Sequence, residues 1–365
     1  MIMKKIGIMT IHNDFNYGAV LQAVATQKFL ELQGYDAEII NYENSVIAEQ
    51  SKIVYKQGGR RIGYIVTFIR NVFFGRYFYY KKATNKLDLY QKKSETKYSS
   101  LDELDNSNYD VLIAGSDQIW NPIISRGIDP AFLLQFGNPE KRISISSSMG
   151  SYCLDDHEKD IFYNALKDFA AISVREEFAK EQLQPLITRE VQVLCDPSFF
   201  LDHDIWWNEY AKKSRYADVE EKYIVTYFVG SNKRKYRKVV SQYAKKMNLP
   251  VWTIQYSNYN WKESDKKILG ASIIDFIALI ANAQLVITDS FHGVAFSLNM
   301  GTDFVALTNQ ENPVRVRELL TKIGENERID MGVEEFHGLN VNKTWKSIEE
   351  LRRESGNWIR KVLDN

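Results

Sequence analysis

Short apolar runs alternate with segments of helical periodicity along nearly the whole chain, and this rhythm dictates the fold class. In "KKIGIMTI" (4–11) the apolar residues read as a buried strand. "NDFNYGAVLQAVATQKFLELQGY" follows, with Val20, Leu21, Val24, Phe29 and Leu30 near helical spacing and Gly34 as the stop; "DAEIINY" is then a second strand. Strand, glycine-containing turn, helix and strand make a βαβ unit, which implies a parallel sheet.

The pattern resumes with "YDVLIAG" (109–115), "RISISSS" (142–148), a helix from Asp155, "FAAISV" (169–174), a helix from Arg175 and "VQVLC" (191–195). "DPSFFLDHD" breaks it and reads as a connector. A second alternating series starts at "KYIVTYFVG" (222–230). It runs through a basic helix (233–247), "PVWTIQY", the helix "SIIDFIALIANA", "QLVITD", the helix after His292, "DFVAL" and "PVRVRELLTKIG". At 365 residues the chain is long enough for two cores. The expected class is α/β, with a Rossmann-like domain over 1–195, a connector over 196–205, a second Rossmann-like domain over 206–340 and a closing helix over 341–365. Ligands of such sheets bind outside the carboxyl ends of the strands, so chemistry is to be sought just after them.

Charge excludes one class of partner. Lys+Arg and Asp+Glu are both 47, so no net field selects nucleic acid. The two cysteines, Cys153 and Cys195, are too few for a disulfide framework or a cysteine zinc site and fit a cytoplasmic protein. No histidine pairing at metal-ligand spacing is present either. The first apolar run breaks too soon for a secretory signal, and no run reaches the roughly 18 apolar residues of a spanning helix. One stretch does not fit the rhythm. The first domain carries an insertion at about 45–105, within which residues 51–93 hold eleven Lys/Arg against the single Asp88, with aromatics interleaved. Peripheral contact with an anionic membrane surface, or with a lipid-linked acceptor, is one reading of it. The favoured reading is a helical excursion with a solvated basic face.

Four strand ends carry polar clusters. Asn16 and Gly18 open a helix whose free N–H groups and positive dipole end suit an anion; the plain alternative is that Asn16 only caps the helix and Gly18 only permits the turn. "AGSDQIWN" delivers Ser116, Asp117, Gln118, Trp120 and Asn121 into a loop, where amides and a hydroxyl beside an indole suit a sugar. Arg175 follows a strand directly and can grip a phosphate or carboxylate bidentately, or else form a surface salt bridge with Glu176 or Glu177. In "ITDSFHGVAFSL" (287–298), His292 stands where a strand hands over to a helix, placed to exchange a proton with a ligand in the crevice.

In order along the chain, "NYGAVLQA", "AGSDQIWN", "SVREEFAKEQL", "CDPSFF", "YFVG", "ITDSFHGVAFSL" and "VRVRELLTKIG" resemble the polysaccharide pyruvyl transferase family, in its bacterial capsule and exopolysaccharide branch. The resemblance runs from about residue 5 to about residue 330. It implies two domains facing across a cleft, as in GT-B glycosyltransferases. It also implies transfer of a pyruvyl group from phosphoenolpyruvate, as co-substrate with no further cofactor, to two hydroxyls of a sugar, free or lipid-linked. A cyclic ketal forms and phosphate leaves. His292 matches the family's catalytic histidine, and Arg175 matches an arginine that binds the donor. Another branch has arginine where this chain has Ser290, so a second positive charge must come from elsewhere, with Arg315 as the candidate. Asp117 is the candidate hydroxyl base, and Ser116, Gln118, Trp120 and Asn121 the candidate sugar contacts. Two rivals share the expected fold. A nucleotide-sugar glycosyltransferase needs a ribose-binding acid late in the second domain, where Glu311 is the candidate; a non-catalytic sugar- or phosphate-binding protein needs none.

Overall fold

The structure is a computed structural model that describes residues 3–364 apart from 14–15, 45, 47–86, 106, 231–232, 256–262 and 309–312. The basic stretch 51–93 lies outside the described residues as far as position 86, and so does Glu311.

In the first half β1 (Lys5–Met9), β2 (Asp36–Ile39), β3 (Val111–Ala114) and β4 (Arg142–Ser144) form a parallel sheet in the order β2-β1-β3-β4. Two further parallel strands, β5 (Ile172–Val174) and β6 (Val191–Val193), continue its edge through the bridges Ile143–Ala171 and Ser147–Val174. The second half holds β7 (Ile224–Tyr227), β8 (Val251–Gln255), β9 (Lys266–Leu269), β10 (Leu285–Thr288) and β11 (Phe304–Ala306), all parallel in the order β11-β10-β7-β8-β9. Only β9 goes unforeseen from the sequence. It is an edge strand that opens with two exposed lysines, so it lacks the apolar run by which a buried strand is recognised.

Between β1 and β2 runs α1 (Tyr17–Leu32), thirteen of whose sixteen residues are buried. A helix apolar on every side must be covered on every side. Its own sheet covers one side; the second half covers another, where Tyr17 stacks on Phe276 with ring centres 4.9 Å apart and meets Tyr227 edge-on at 5.7 Å. Next come α2 (Asp156–Leu166), opened by a capping box of Asp155 and Glu158, and α3 (Glu177–Leu183). The second half carries α4 (Lys233–Met247), α5 (Ile273–Ala281), α6 (Phe291–Met300) and α7 (Pro313–Ile323). α6 begins one residue before His292, not after it, and stops at Gly301 in the left-handed region, φ 71°.

The segment after β6 is more than a connector. Phe199, Phe200, Leu201 and Trp206 are buried in one apolar core that also takes Ile6 and Val20 from the first half and Phe276 and Phe296 from the second. The last helix, α8 (Val341–Asp364), then crosses back to the first half. Arg352 Nε donates to Phe199 O (2.6 Å), Tyr35 Oη donates to Asp364 Oδ1 (2.9 Å), Lys4 Nζ donates to Leu363 O, and Ser355 Oγ accepts from Cys195 N (3.1 Å). Ile348, Ile359 and Leu363 anchor it in the shared core, each side chain contributing about 1.5–3 kcal/mol by burial. Among the described residues no helix is long and apolar enough to cross a membrane.

Candidate active site

In the second sheet the strand order reverses between β10 and β7, which opens a crevice at the carboxyl ends of those strands. "DSFHG" emerges there. Ser290 caps α6 by accepting from Gly293 N (3.4 Å), and its own N–H donates to Thr288 Oγ1 (3.1 Å). A Cβ on Gly293 would fall 2.4 Å from Thr288 Oγ1, so the helix packs onto its strand only with glycine there. His292 thus stands in the first turn of α6, buried, and its ring lies against α1 of the other half. A Cβ added to Gly18 would lie 1.9 Å from His292 Nδ1.

This contact, not anion binding, accounts for Gly18. Its N–H is already accepted by Asn16 Oδ1 at 3.0 Å, so the expected anion site at Asn16 and Gly18 is a satisfied helix cap.

Across the crevice, β5 and β6 deliver Arg175, Glu176 and Asp196. The pairing of Arg175 with Glu176 is real but not on the surface. Nε donates to Glu176 Oε1 (3.0 Å), Nη1 to Asp196 Oδ2 (2.7 Å) and Nη2 to Ser148 Oγ (3.0 Å), with both ion-paired side chains at 3% exposure or less. Ser148 Oγ donates in turn to Glu176 Oε1 (2.6 Å), and Ser198 N to Asp196 Oδ1 (2.9 Å). Burial disfavours the guanidinium of Arg175, but Glu176 and Asp196 outweigh it and its pKa is raised. Burial likewise favours neutral Asp196, yet His292 and then Arg175 hold it well below the usual carboxylate range. His292 Nε2 is 3.5 Å from Asp196 Oδ2, within ion-pair reach but long for a hydrogen bond, and has no hydrogen-bond partner among the described residues.

Arg315 breaks the local balance. It lies buried in the first turns of α7, its Nε without a partner among the described residues and its guanidinium carbon 5.7 Å from the centre of the Phe291 ring; that of Arg175 lies 5.0 Å from the same ring. Burial, and then the charge of Arg175, lower its pKa to about 10. A buried cation short of hydrogen-bond acceptors is costly to keep, and a bound anion would relieve it. Arg175, Glu176, Asp196, Phe291 and Arg315 all line one cavity of about 410 Å³; His292 does not line it but lies beside two residues that do, Phe291 and Asp196. Glu176 Oε2 is a second buried atom there without a partner.

Of the loop 116–121, Asp117 is within electrostatic reach of Arg175 and Arg315, but its Oδ1 accepts from Gln118 N (2.8 Å) and it does not line the cavity. The sugar-stacking role expected of Trp120 does not survive. The indole is 2% exposed, donates to Phe132 O (3.0 Å) and meets Phe162 edge-on, so it offers a ligand no open face. Asn121 caps a short helix at Pro122–Ser125 and donates to Gln118 Oε1 (2.9 Å); Ser116 Oγ is buried without a partner. Sequence reasoning missed Glu176, Asp196, Ser148 and Phe291 as site residues. Asp196 stands just after β6, where the strand-end rule points, but the proline that follows made the segment read as a link.

A family model described as polysaccharide pyruvyl transferase matches residues 16–311. No curated protein matches the chain significantly. Among solved structures, the UDP-GlcNAc 2-epimerase of Neisseria meningitidis superposes with a TM-score of 0.52 at 10% identity, covering 99% of each chain. That of Rickettsia bellii gives 0.51 at 9% over 100% of this chain and 96% of its own, and that of Methanocaldococcus jannaschii 0.50 at 14% over 99% of each. At such identities the likeness speaks for a GT-B-like fold and nothing further.

Proposed function

The chain belongs to the polysaccharide pyruvyl transferase family, and from that premise we propose that it moves the pyruvyl group of phosphoenolpyruvate onto two hydroxyls of a sugar in a polysaccharide precursor. One observation carries this reading above the rivals: a buried arginine with an unpartnered Nε, Arg315, lining the same cavity as Arg175. That arrangement suits a small dianionic acid. Arg175 already bonds Glu176, Asp196 and Ser148, so it stiffens the site, while Arg315 offers a buried N–H at Nε that has no partner among the described residues. Ser290, occupied as a helix cap, needs no part in binding the donor.

In the proposed reaction His292 gives a proton to the terminal carbon of the enol phosphate, and a sugar hydroxyl attacks the carbon bearing the phosphate. The C–O bond to phosphate breaks and the second hydroxyl closes the ketal. One hydroxyl proton restores the histidine and the other passes through Glu176 to the departing phosphate, so the sum is phosphoenolpyruvate plus diol giving ketal plus phosphate. His292 Nε2 has no hydrogen-bond partner among the described residues, and the Asp196 carboxylate lies 3.5 Å from it. Glu176 Oε2, unpartnered on a residue that lines the cavity, is better placed than Asp117 to accept the hydroxyl proton.

The test is ³¹P NMR of phosphate released from phosphoenolpyruvate in the presence of galactosides, glucosides and mannosides. Release with at least one of them, abolished in His292→Ala while donor binding stays measurable, is the expected result. Undiminished release by His292→Ala overturns the acid role.

A further inference from the structure

The cavity that holds Arg175 and Arg315 has a second wall, and it comes from α8. Ser355, Asn357 and Trp358 line it together with Gln192 of β6. Its volume of about 410 Å³ exceeds what the donor needs.

What remains is lined for a different kind of molecule. Trp358 is half-buried, packs against the shared core and makes no hydrogen bond or ring stack with any described residue, so its indole N–H and the part of its ring that lines the cavity are open. An indole face takes the C–H face of a pyranose, and an amide such as Gln192 or Asn357 takes its hydroxyls. The loop 116–121, where the sequence suggests the sugar should go, cannot supply such a face because Trp120 is a core residue. Moreover, α8 lies wholly beyond residues 16–311, the part of the chain that matches the family.

We propose that the acceptor's reacting hexopyranose, a neutral sugar ring, stacks on Trp358 in this cavity, so that acceptor specificity resides in the C-terminal helix. The proposal rests on the pyruvyl transfer reading and adds where the sugar binds. In this arrangement the ring shares one chamber with the donor, its hydroxyls within reach of Glu176, and α8 determines which sugars fit.

Saturation-transfer difference NMR separates the two claims. Methyl glycosides of galactose, glucose and mannose, and separately phosphoenolpyruvate, are offered to the full-length protein and to Trp358→Ala, Trp358→Leu and Gln192→Ala. At least one glycoside should show transfer to its ring protons with the unmodified protein. That signal should fall at least fivefold in both Trp358 variants and weaken in Gln192→Ala, with transfer to phosphoenolpyruvate unchanged throughout. Trp358→Leu keeps an apolar side chain against the core, so loss of sugar signal there, with an unaltered unfolding midpoint, is not a folding defect. Undiminished sugar signal in the Trp358 variants, or no signal from any glycoside with the unmodified protein, overturns the subsite. Absence of phosphoenolpyruvate transfer in every protein overturns the donor reading instead.

Discussion

Two residues in the first turns of their helices, Gly18 and His292, meet across the two halves of the molecule, and the smaller sets the tolerance. Gly18 has no side chain, yet the imidazole of His292 occupies the space where one would be. Gly18→Ala forces the ring to move by an ångström or more. We expect kcat to fall on the order of 100-fold, since misplacing a catalytic group by that distance costs about as much. Donor affinity and the far-UV spectrum should hardly change, and steady-state kinetics beside circular dichroism checks this. Asp196 makes a prediction in pH. Its folded pKa is depressed, so its charge contributes stability that is fully present above the unfolded value of about 4 and is lost as pH falls below it. Urea unfolding between pH 6 and pH 2.5 should therefore show a steeper loss for the natural protein than for Asp196→Asn. Equal slopes would remove the buried carboxylate from the account of acid stability.

At the scale of elements, α8 does more than close the chain. It is amphipathic, it plants Ile348, Ile359 and Leu363 in the core that both halves share, and it roofs the cavity beside Arg315. Deleting buried methylenes costs the transfer energy and leaves a void, so Ile359→Ala should destabilise by about 2–5 kcal/mol in urea unfolding. Because the core runs from Ile6 through α1 to Phe296, we expect the loss in a single transition seen alike by near-UV and far-UV signals. Two separated transitions would mean that the halves hold together less tightly than this packing implies. The apolar runs of β1, β3, β7 and β10, and the periodic segments between them, are legible in the sequence because each element is buried in proportion to its pattern. β9 is not, since an edge strand with exposed lysines draws its order from β8 and not from its own apolar residues.

For the molecule as a whole, the sequence identifies which strand ends matter but not which side chains meet there. His292, Arg175 and Arg315 were legible from position and resemblance. Asp196 and Glu176 were not, because a carboxylate's role depends on which cation the fold sets beside it. Trp120 misled for the opposite reason: an indole in a polar loop looks like a sugar platform until the tertiary packing buries it. The arrangement that results, two half-domains enclosing a desolvated arginine, is one a protein selected for stability alone would not keep. Arg315→Met should raise the unfolding free energy by about 1–3 kcal/mol, because an apolar side chain of similar length belongs in that burial better than an unrelieved charge does. The gain has a functional cost, and this gives the most direct measurement: titration calorimetry of phosphoenolpyruvate into the natural protein and into Arg315→Met. The natural protein should bind and the variant should bind about 10- to 100-fold more weakly, the loss of charge-assisted hydrogen bonds to one guanidinium. Equal affinity in the two proteins, or no binding by the natural one, would contradict the reading of this cleft as the donor's site.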